Sequence, residues 1–175
     1  MTQTVRRLKP AEINRMDRDA FVRLFGRLYE RSPWVAEEAW ELRPFGGIDD
    51  LHRRMQEIVN GSDGGRRMKL IRCHPDLAGK AAVAGDLTSS SMAEQASAAL
   101  DQCTPQEFEQ FQRLNRDYKK KFGFPFIMAV RGSTRMDILE AFSERIGNSR
   151  ETELANCLRA VECIAYLRLK DLVEE

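Results

Sequence analysis

Apolar residues recur every three or four positions along most of the chain, which is the spacing of one face of an α-helix. In one such stretch, Phe21, Leu24 and Leu28 fall on the same side of a predicted helix. Residues 124–130 form the one strand-like stretch, and no alternating partner strand accompanies it. Because a single strand cannot form a sheet, the pattern predicts an all-α fold.

Residues typical of helix ends divide this pattern into about seven to nine helices. Asp17 is expected to cap a helix that runs to about residue 30, and the TPQE sequence at Thr104 is a capping box. Ser91 and Glu94 have the same spacing, which predicts a helix start at Ser91. The short connections that remain favour a single bundle-like domain over residues 1–175.

Length and composition restrict the class of protein further. A chain of 175 residues with 42% hydrophobic and 31% charged residues is typical of one globular domain. A net charge of +1 gives no electrostatic indication of a nucleic-acid or anionic-membrane partner. No apolar run approaches the roughly 20 residues of a membrane span, and residues 1–10 lack the apolar core of a secretory signal. We therefore expect a cytosolic protein.

The cysteines and histidines do not have the spacing of a metal site. The chain has four cysteines and two histidines, and no two cysteines form a CxxC pair. These residues are Cys73, Cys103, Cys157, Cys163, His52 and His74. A structural zinc site needs clustered thiolate or imidazole ligands, so we expect no metal and four reduced thiols.

His74 is the first candidate for proton-transfer chemistry. It lies at the predicted end of a helix, just before Pro75, and histidine is the side chain that titrates near neutral pH. A helix C-terminus favours the imidazolium form. The segment alone favours a histidine that only caps the helix or faces solvent, since acid–base catalysis also needs partners that the segment does not show.

Ser91, Glu94 and Gln95 form a second candidate group. Their i, i+3, i+4 spacing puts all three side chains on one helix face. The first turn of a helix offers free N–H groups to a carbonyl-rich or anionic ligand, and these side chains could read a ureido group. A capping box explains Ser91 and Glu94 equally well, although it does not explain Gln95.

Arg131 and the aromatic segment before it form a third candidate region. An arginine can bind a carboxylate of a ligand through two parallel hydrogen bonds, although the residue by itself favours a surface arginine or an ion pair within the protein. Residues 122–126 place glycine and proline in an apolar frame, which predicts an irregular backbone. Its unpaired N–H and C=O groups could be satisfied by a ligand or by an ordinary buried turn.

Several short blocks occur in a fixed order along the chain. They are ERSPWVA from Glu30, RPF from Arg43, HPDLAGK from His74, SMAEQASA from Ser91, LN from Leu114 followed by Tyr118, KFGFPFI from Lys121, VRG from Val130 and RIGN from Arg145. This succession closely resembles the 2-oxo-4-hydroxy-4-carboxy-5-ureidoimidazoline (OHCU) decarboxylase family, over about residues 8–172. The blocks HPDLAGK, SxxEQ and FGFPFI in this order carry the resemblance.

The resemblance implies an all-helical, usually dimeric enzyme of urate catabolism that converts OHCU to (S)-allantoin without a metal or organic cofactor. It implies His74 as catalytic, together with Glu94 and Arg131. The residues implied in substrate binding are Pro75, Ser91, Gln95, Phe126 and Ile127. Family members often have alanine where Cys73 stands, so a thiol beside the site could make this chain sensitive to oxidation.

The implied chemistry assigns a task to each polar residue. The substrate carbon that loses CO2 is next to a ring C=N, which can take up the electron pair. The remaining task is proton transfer to or from the substrate, and we expect His74 to perform it. Glu94 and Gln95 would hold the ureido group, and Arg131 an anionic or carbonyl oxygen. Two alternatives remain open: a non-enzymatic helical interaction module, and an enzyme acting on another ureido compound.

Overall fold

The computed structural model describes residues 6–79 and 84–174, and within these ranges the fold belongs to the all-α class. Nine α-helices and one short 3-10 helix occur there, which confirms the predicted class and number of helices. The α-helices are α1 Pro10–Asn14, α2 Arg18–Phe25, α3 Trp34–Trp40, α4 Ile48–Gly61, α5 Gly64–Arg72, α6 Ser89–Ser97, α7 Pro105–Phe122, α8 Arg135–Arg145 and α9 Arg150–Leu172. The 3-10 helix spans Leu100–Gln102. None of the helices so described is both long and apolar enough to cross a membrane.

The chain divides into two compact units. The first comprises Met1–Leu70 together with Glu162–Glu175, and the second comprises Ile71–Val161. In the first unit, the ring of Phe21 packs against Phe25 and Phe45, with centroids 4.7 and 5.9 Å away. A single parallel bridge joins Leu8 to Val173, near the two ends of this unit.

Helix α2 is shorter than the sequence predicts. Asp17 does cap it, because its carboxylate accepts a hydrogen bond from the N–H of Ala20. The helix nevertheless ends at Phe25, whereas the apolar spacing predicts an end near residue 30. The Arg168 guanidinium donates to the carbonyl oxygens of Arg27 and Leu28, at 3.2 and 3.3 Å. These carbonyls thus gain a partner from a distant helix, which the local pattern cannot indicate.

The second unit is built around an aromatic cluster from α7, α8 and the segment between them. Tyr118 lies at its centre, with ring centroids 4.5 Å from Phe122 and 5.3 Å from Phe126. Phe126 stacks on Phe142 at 3.7 Å. Residues 124–130 form no strand, so their apolar composition reflects burial in this cluster.

The start of α6 corrects a prediction. Thr88 is the N-cap, because its hydroxyl accepts a hydrogen bond from the N–H of Ser91. The helix begins at Ser89, so Ser91 is its third residue and the predicted capping box of Ser91 and Glu94 is wrong. Thr88 precedes three serines, and any of the four could have capped the helix. The capping box at Thr104 is confirmed.

Candidate active site

His74 lies immediately after α5, at the point where the helix ends. The backbone N–H of His74 donates to the backbone carbonyl of Ile71 at 3.1 Å, and only 8% of the residue is exposed. The Nε2 atom itself is buried. The chain then continues through Pro75 into a short irregular stretch, and we call residues 74–79 the His74 segment.

Gln95 of α6 binds the His74 segment through both ends of its amide. Its Oε1 accepts from the N–H of Ala78 at 3.0 Å, and its Nε2 donates to the carbonyl of Asp76 at 3.2 Å. Ala78 has a φ of +48°, in the left-handed region that costs an alanine roughly 1–2 kcal/mol. The Gln95 bonds help to hold this conformation, and Gln95 itself is only 5% exposed.

Three polar residues of α7 bind the same segment. Gln112 Nε2 donates to the carbonyl of Ala78 at 2.8 Å, and Asn115 Nδ2 donates to the carbonyl of Leu77 at 2.9 Å. Lys119 Nζ pairs with Asp76 Oδ2 at 2.6 Å. These contacts were not predicted. Their sequence signal is the i, i+3, i+7 spacing, which puts the three side chains on one side of α7.

The turn in the His74 segment also depends on Gly79. A Cβ atom at this position would lie 2.7 Å from Asp76 Cβ and 3.2 Å from the Asp76 carbonyl oxygen. Both distances are shorter than normal van der Waals contact, so any side chain there would push the turn apart. Glycine therefore permits the close return of the chain that lets Gln95 reach Asp76 and Ala78.

Ser91 and Glu94 share the helical turn that carries Gln95. Ser91 is buried, whereas Glu94 is partly exposed. Because Gln95 binds Asp76 and Ala78 directly, this turn of α6 lies against the His74 segment. The structure thus brings Ser91, Glu94 and Gln95 close to the residues that follow His74. A cavity of about 610 Å³ lies beside α6 and the His74 segment, and its lining residues include Ala78, Gln95 and Phe108.

Phe126 and Ile127 lie in the aromatic core of the unit. Their exposed fractions are 1% and 3%. The Arg145 guanidinium lies over the ring of Phe126 at 4.3 Å and donates to the carbonyl of Ile127 at 2.8 Å. Both residues are therefore fixed in position by α8.

A buried ion pair supports this arrangement and was not predicted from the sequence. Glu153 is 0% exposed and lies 2.9 Å from Arg145 Nη2. Its carboxylate also accepts from the Tyr118 hydroxyl and from the amides of Asn148 and Asn156, at 2.8 and 2.7 Å for the amides. Burial alone would raise the pKa of Glu153, but the hydrogen bonds from these partners lower it below its usual value.

Arg131 is exposed, in a tight turn after the aromatic segment. The N–H of Ser133 donates to the carbonyl of Val130 at 3.0 Å, which closes the turn. Gly132 supplies the φ of +84° that the turn requires. Arg131 lies at the first central position of this turn, four residues after Ile127.

Hydrogen bonds and ring contacts join most of the predicted site residues into two groups. Gln95, with its neighbours Ser91 and Glu94, is linked to the segment of His74 and Pro75. Phe126 and Ile127 share the aromatic cluster held by Arg145. Across residues 6–79 and 84–174, no group of three or more His, Cys, Asp or Glu side chains is arranged to hold a metal ion.

Comparison with known proteins gives a consistent family. A sequence model of OHCU decarboxylase matches residues 14–170. The 2-oxo-4-hydroxy-4-carboxy-5-ureidoimidazoline decarboxylase of Haloferax volcanii is 42% identical, over 91% of this chain and 93% of that protein. The mouse (Mus musculus) protein of the same name is 36% identical, over 93% and 91%. The uric acid degradation bifunctional protein PucL of Bacillus subtilis is 40% identical, but the match covers only 32% of its length.

Solved structures agree in fold. A crystal structure of (S)-allantoin synthase superposes with a TM-score of 0.75 at 28% identity, and covers 95% of this chain and 54% of that chain. A crystal structure of OHCU decarboxylase in the presence of (S)-allantoin superposes with a TM-score of 0.65, over 88% of this chain. At 20% identity, the second comparison speaks to the fold alone. Together with the sequence matches over most of its length, these findings mean that the chain belongs to the OHCU decarboxylase family.

Proposed function

We propose that this chain decarboxylates OHCU to (S)-allantoin in urate degradation. One observation carries the proposal beyond family membership: a buried histidine is followed by a segment that side chains fix from two helices. Gln95 of α6 binds Asp76 and Ala78, and Gln112 of α7 binds Ala78 from another helix. Such preorganisation is what a proton-transfer site requires, because a misplaced catalytic group loses most of its effect.

The reaction needs positioning more than it needs a cofactor. The bond between the carboxylate carbon and the ring carbon breaks, and CO2 leaves. The electron pair of that bond moves toward the neighbouring C=N group of the ring. The product of this step is an enol, in which the hydroxyl-bearing carbon is double-bonded to the carbon that bears the ureido group. The hydroxyl then loses its proton and becomes a carbonyl, and a proton adds to one face of the ureido-bearing carbon, which gives a single enantiomer. Since the substrate ring takes up the electron pair, we propose that the chain uses no organic cofactor and no metal.

His74 is the residue to which we assign the proton transfer. Histidine is the residue type whose unperturbed side chain exchanges a proton near neutral pH, which suits it to this task. A positioned histidine contributes on the order of 10²–10⁴-fold to such steps. Pro75 directly follows it and, because its ring fixes φ, limits the orientations that the backbone beside His74 can adopt.

The substrate-binding roles follow from hydrogen-bonding capacity. An amide side chain has two N–H donors and two acceptor lone pairs. The bonds of Gln95 to Asp76 and Ala78 use one donor and one lone pair, so a second donor and lone pair remain for a ureido group. Ser91 and Glu94, on the same helical turn, add a hydroxyl and a carboxylate.

Charge and shape complete the proposed site. The Arg131 guanidinium can bind a carboxylate or carbonyl oxygen through two parallel hydrogen bonds. Phe126 and Ile127 provide a rigid apolar wall because their positions are fixed by Arg145. Glu94, Arg131 and His74 thus supply the polar chemistry, and the aromatic segment supplies the shape.

The proposal also covers the context in which the chain works. We propose one catalytic domain over about residues 8–172, which the single family match over residues 14–170 supports. We further propose a homodimer in the cytosol, with no nucleic-acid or membrane partner, on the family resemblance and the near-neutral charge.

The test is formation of optically active product. OHCU is generated in place from urate with urate oxidase and the hydrolase that follows it, and circular dichroism reports (S)-allantoin. We expect wild-type protein to give (S)-allantoin rapidly, and Arg131→Gln and Glu94→Gln to lose kcat/KM by at least about tenfold each, the loss of one charge-assisted hydrogen bond. Only slow, racemic product from wild-type protein would overturn the proposal. If the protein then acted on a different ureido compound, that compound would be the substrate. If it acted on no ureido compound, the non-enzymatic interaction module would be favoured.

A further inference from the structure

The side of α7 that faces the His74 segment binds three consecutive residues of it. Lys119 pairs with the side chain of Asp76, Asn115 donates to the carbonyl of Leu77, and Gln112 donates to the carbonyl of Ala78. The helix and the segment therefore run past each other in opposite directions. As the residue of α7 moves from 119 to 115 to 112, its partner in the segment moves from 76 to 77 to 78. This register ties the helix to the segment at three adjacent points.

These bonds replace the backbone partners that the segment lacks. An irregular segment cannot satisfy its carbonyl groups through a helix or sheet, so side chains or water must do so. Here the carbonyls of Leu77 and Ala78 are each satisfied by a side-chain amide of α7. The orientation of the segment thus depends directly on the position of that helix.

Asn115 indicates that this arrangement is not simply the most stable packing. It is only 3% exposed, and its Oδ1 atom has no hydrogen-bond partner among the described residues. Burying an acceptor without a partner lowers the stability of the fold, and a leucine at the same position would carry no such cost. An asparagine at this position therefore gains mainly the one bond that it donates to Leu77.

We propose that α7 is the positioning element of His74, and that Gln112, Asn115 and Lys119 set the rate of the chemical step with little influence on substrate affinity. The inference rests on the proposed decarboxylase function. These three residues act through the His74 segment. A displacement of a catalytic group by about 1 Å can cost on the order of 100-fold in rate. Loss of one of three tethers is expected to have a smaller effect.

Matched pairs of variants on α7 provide the test. Gln112→Met removes the donor at similar side-chain length, and Gln110→Met makes the same change at an exposed position two residues earlier. Lys119→Gln and Lys120→Gln form a second pair. We measure kcat, KM and the thermal unfolding midpoint of each, with the (S)-allantoin assay run well below that midpoint.

We expect Gln112→Met to lower kcat about tenfold, with KM within about twofold of wild type. Lys119→Gln should lower kcat by a factor of about two to three, because an exposed ion pair is weak. Gln110→Met and Lys120→Gln should retain wild-type kcat. Asn115→Leu should lower kcat at least as much as Gln112→Met, although it removes a buried unsatisfied acceptor.

Three results would overturn the inference. The first is an unchanged kcat in both Gln112→Met and Asn115→Leu. The second is a change that is confined to KM. The third is an equal loss of kcat in the two members of each matched pair. A lower unfolding midpoint with unchanged kcat would mean that these residues serve stability only. If wild-type protein itself gave no (S)-allantoin, the proposed function would fail. An active wild type with unaffected variants would instead overturn the positioning role alone.

Discussion

The His74 segment and residues 124–130, which we call the Phe126 segment, both lack regular secondary structure, yet different kinds of interaction hold them. Amide side chains fix the first, and the hydrogen bonds that reach its backbone come from Gln95, Gln112 and Asn115. A buried ion pair fixes the second, since Arg145 binds both Ile127 and Glu153. The His74 segment is thus oriented mainly by neutral hydrogen bonds. The Phe126 segment is held by two charges that lie in the interior.

The two kinds of interaction differ in energy. A neutral hydrogen bond contributes about 1 kcal/mol net to stability. Removing one partner of a buried ion pair costs about 3–5 kcal/mol, because the other charge is left without compensation. We therefore expect the Phe126 segment to govern the stability of the fold and the His74 segment to govern the rate of the reaction.

The largest effect on stability should come from Glu153→Gln. The substitution leaves the Arg145 guanidinium in the interior without its carboxylate, so the free energy of unfolding should fall by about 3–5 kcal/mol. Urea denaturation measures this loss. Glu151→Gln, an exposed change on the same helix, is the control and should stay within about 0.5 kcal/mol of wild type. Equal stability of the two variants would mean that the ion pair does not anchor this segment.

The same ion pair predicts a dependence of stability on pH. The pKa of Glu153 is lowered in the folded protein from its usual value of 4.5. Its contribution to stability is therefore complete above pH 4.5 and is lost as the pH falls through the folded-state pKa. The gap in unfolding free energy between wild type and Glu153→Gln should shrink as urea titrations move from pH 7 toward pH 3. A constant gap would contradict the assignment.

A smaller effect on stability, but a larger one on rate, is expected from Gln95→Leu. The variant loses the bonds to Asp76 and Ala78, so unfolding should become easier by about 2 kcal/mol. It also frees the left-handed Ala78 and removes a proposed substrate contact, so kcat/KM should fall by at least about 100-fold. Gln102→Leu, at an exposed position, serves as control. A variant of Gln95 that lost stability but kept its kcat/KM would reverse the comparison between the two segments.

The sequence was most informative where local interactions decide the structure. The capping box at Thr104 involves residues three apart, and the burial of Phe111 and Tyr118 follows from helical spacing. The end of α2 and the start of α6 could not be read in this way. After the end of α2, the carbonyls of Arg27 and Leu28 accept hydrogen bonds from Arg168, more than a hundred residues away. At the start of α6, any of four adjacent hydroxyl residues could have been the N-cap.

The candidate site divides along the same line. The order of the sequence blocks pointed to His74 and Gln95, but not to the partners of Gln95, because Asp76 and Ala78 meet it only after folding. Asn115 is among the residues that carry the family resemblance, but its bond to Leu77 and the bond of Gln112 to Ala78 join residues that are 38 and 34 apart in the sequence, so neither bond was predicted. Glu153 also gave no local signal, since a glutamate in a helix is usually solvent-exposed.

We propose that His74 transfers the proton in the decarboxylation of OHCU. The most direct measurement is the rate of (S)-allantoin formation by His74→Gln, beside His52→Gln as the matched change at the other histidine. The account predicts a loss of kcat of at least about 100-fold for His74→Gln with a smaller change in KM, and near wild-type kinetics for His52→Gln. Near wild-type turnover by His74→Gln would contradict it.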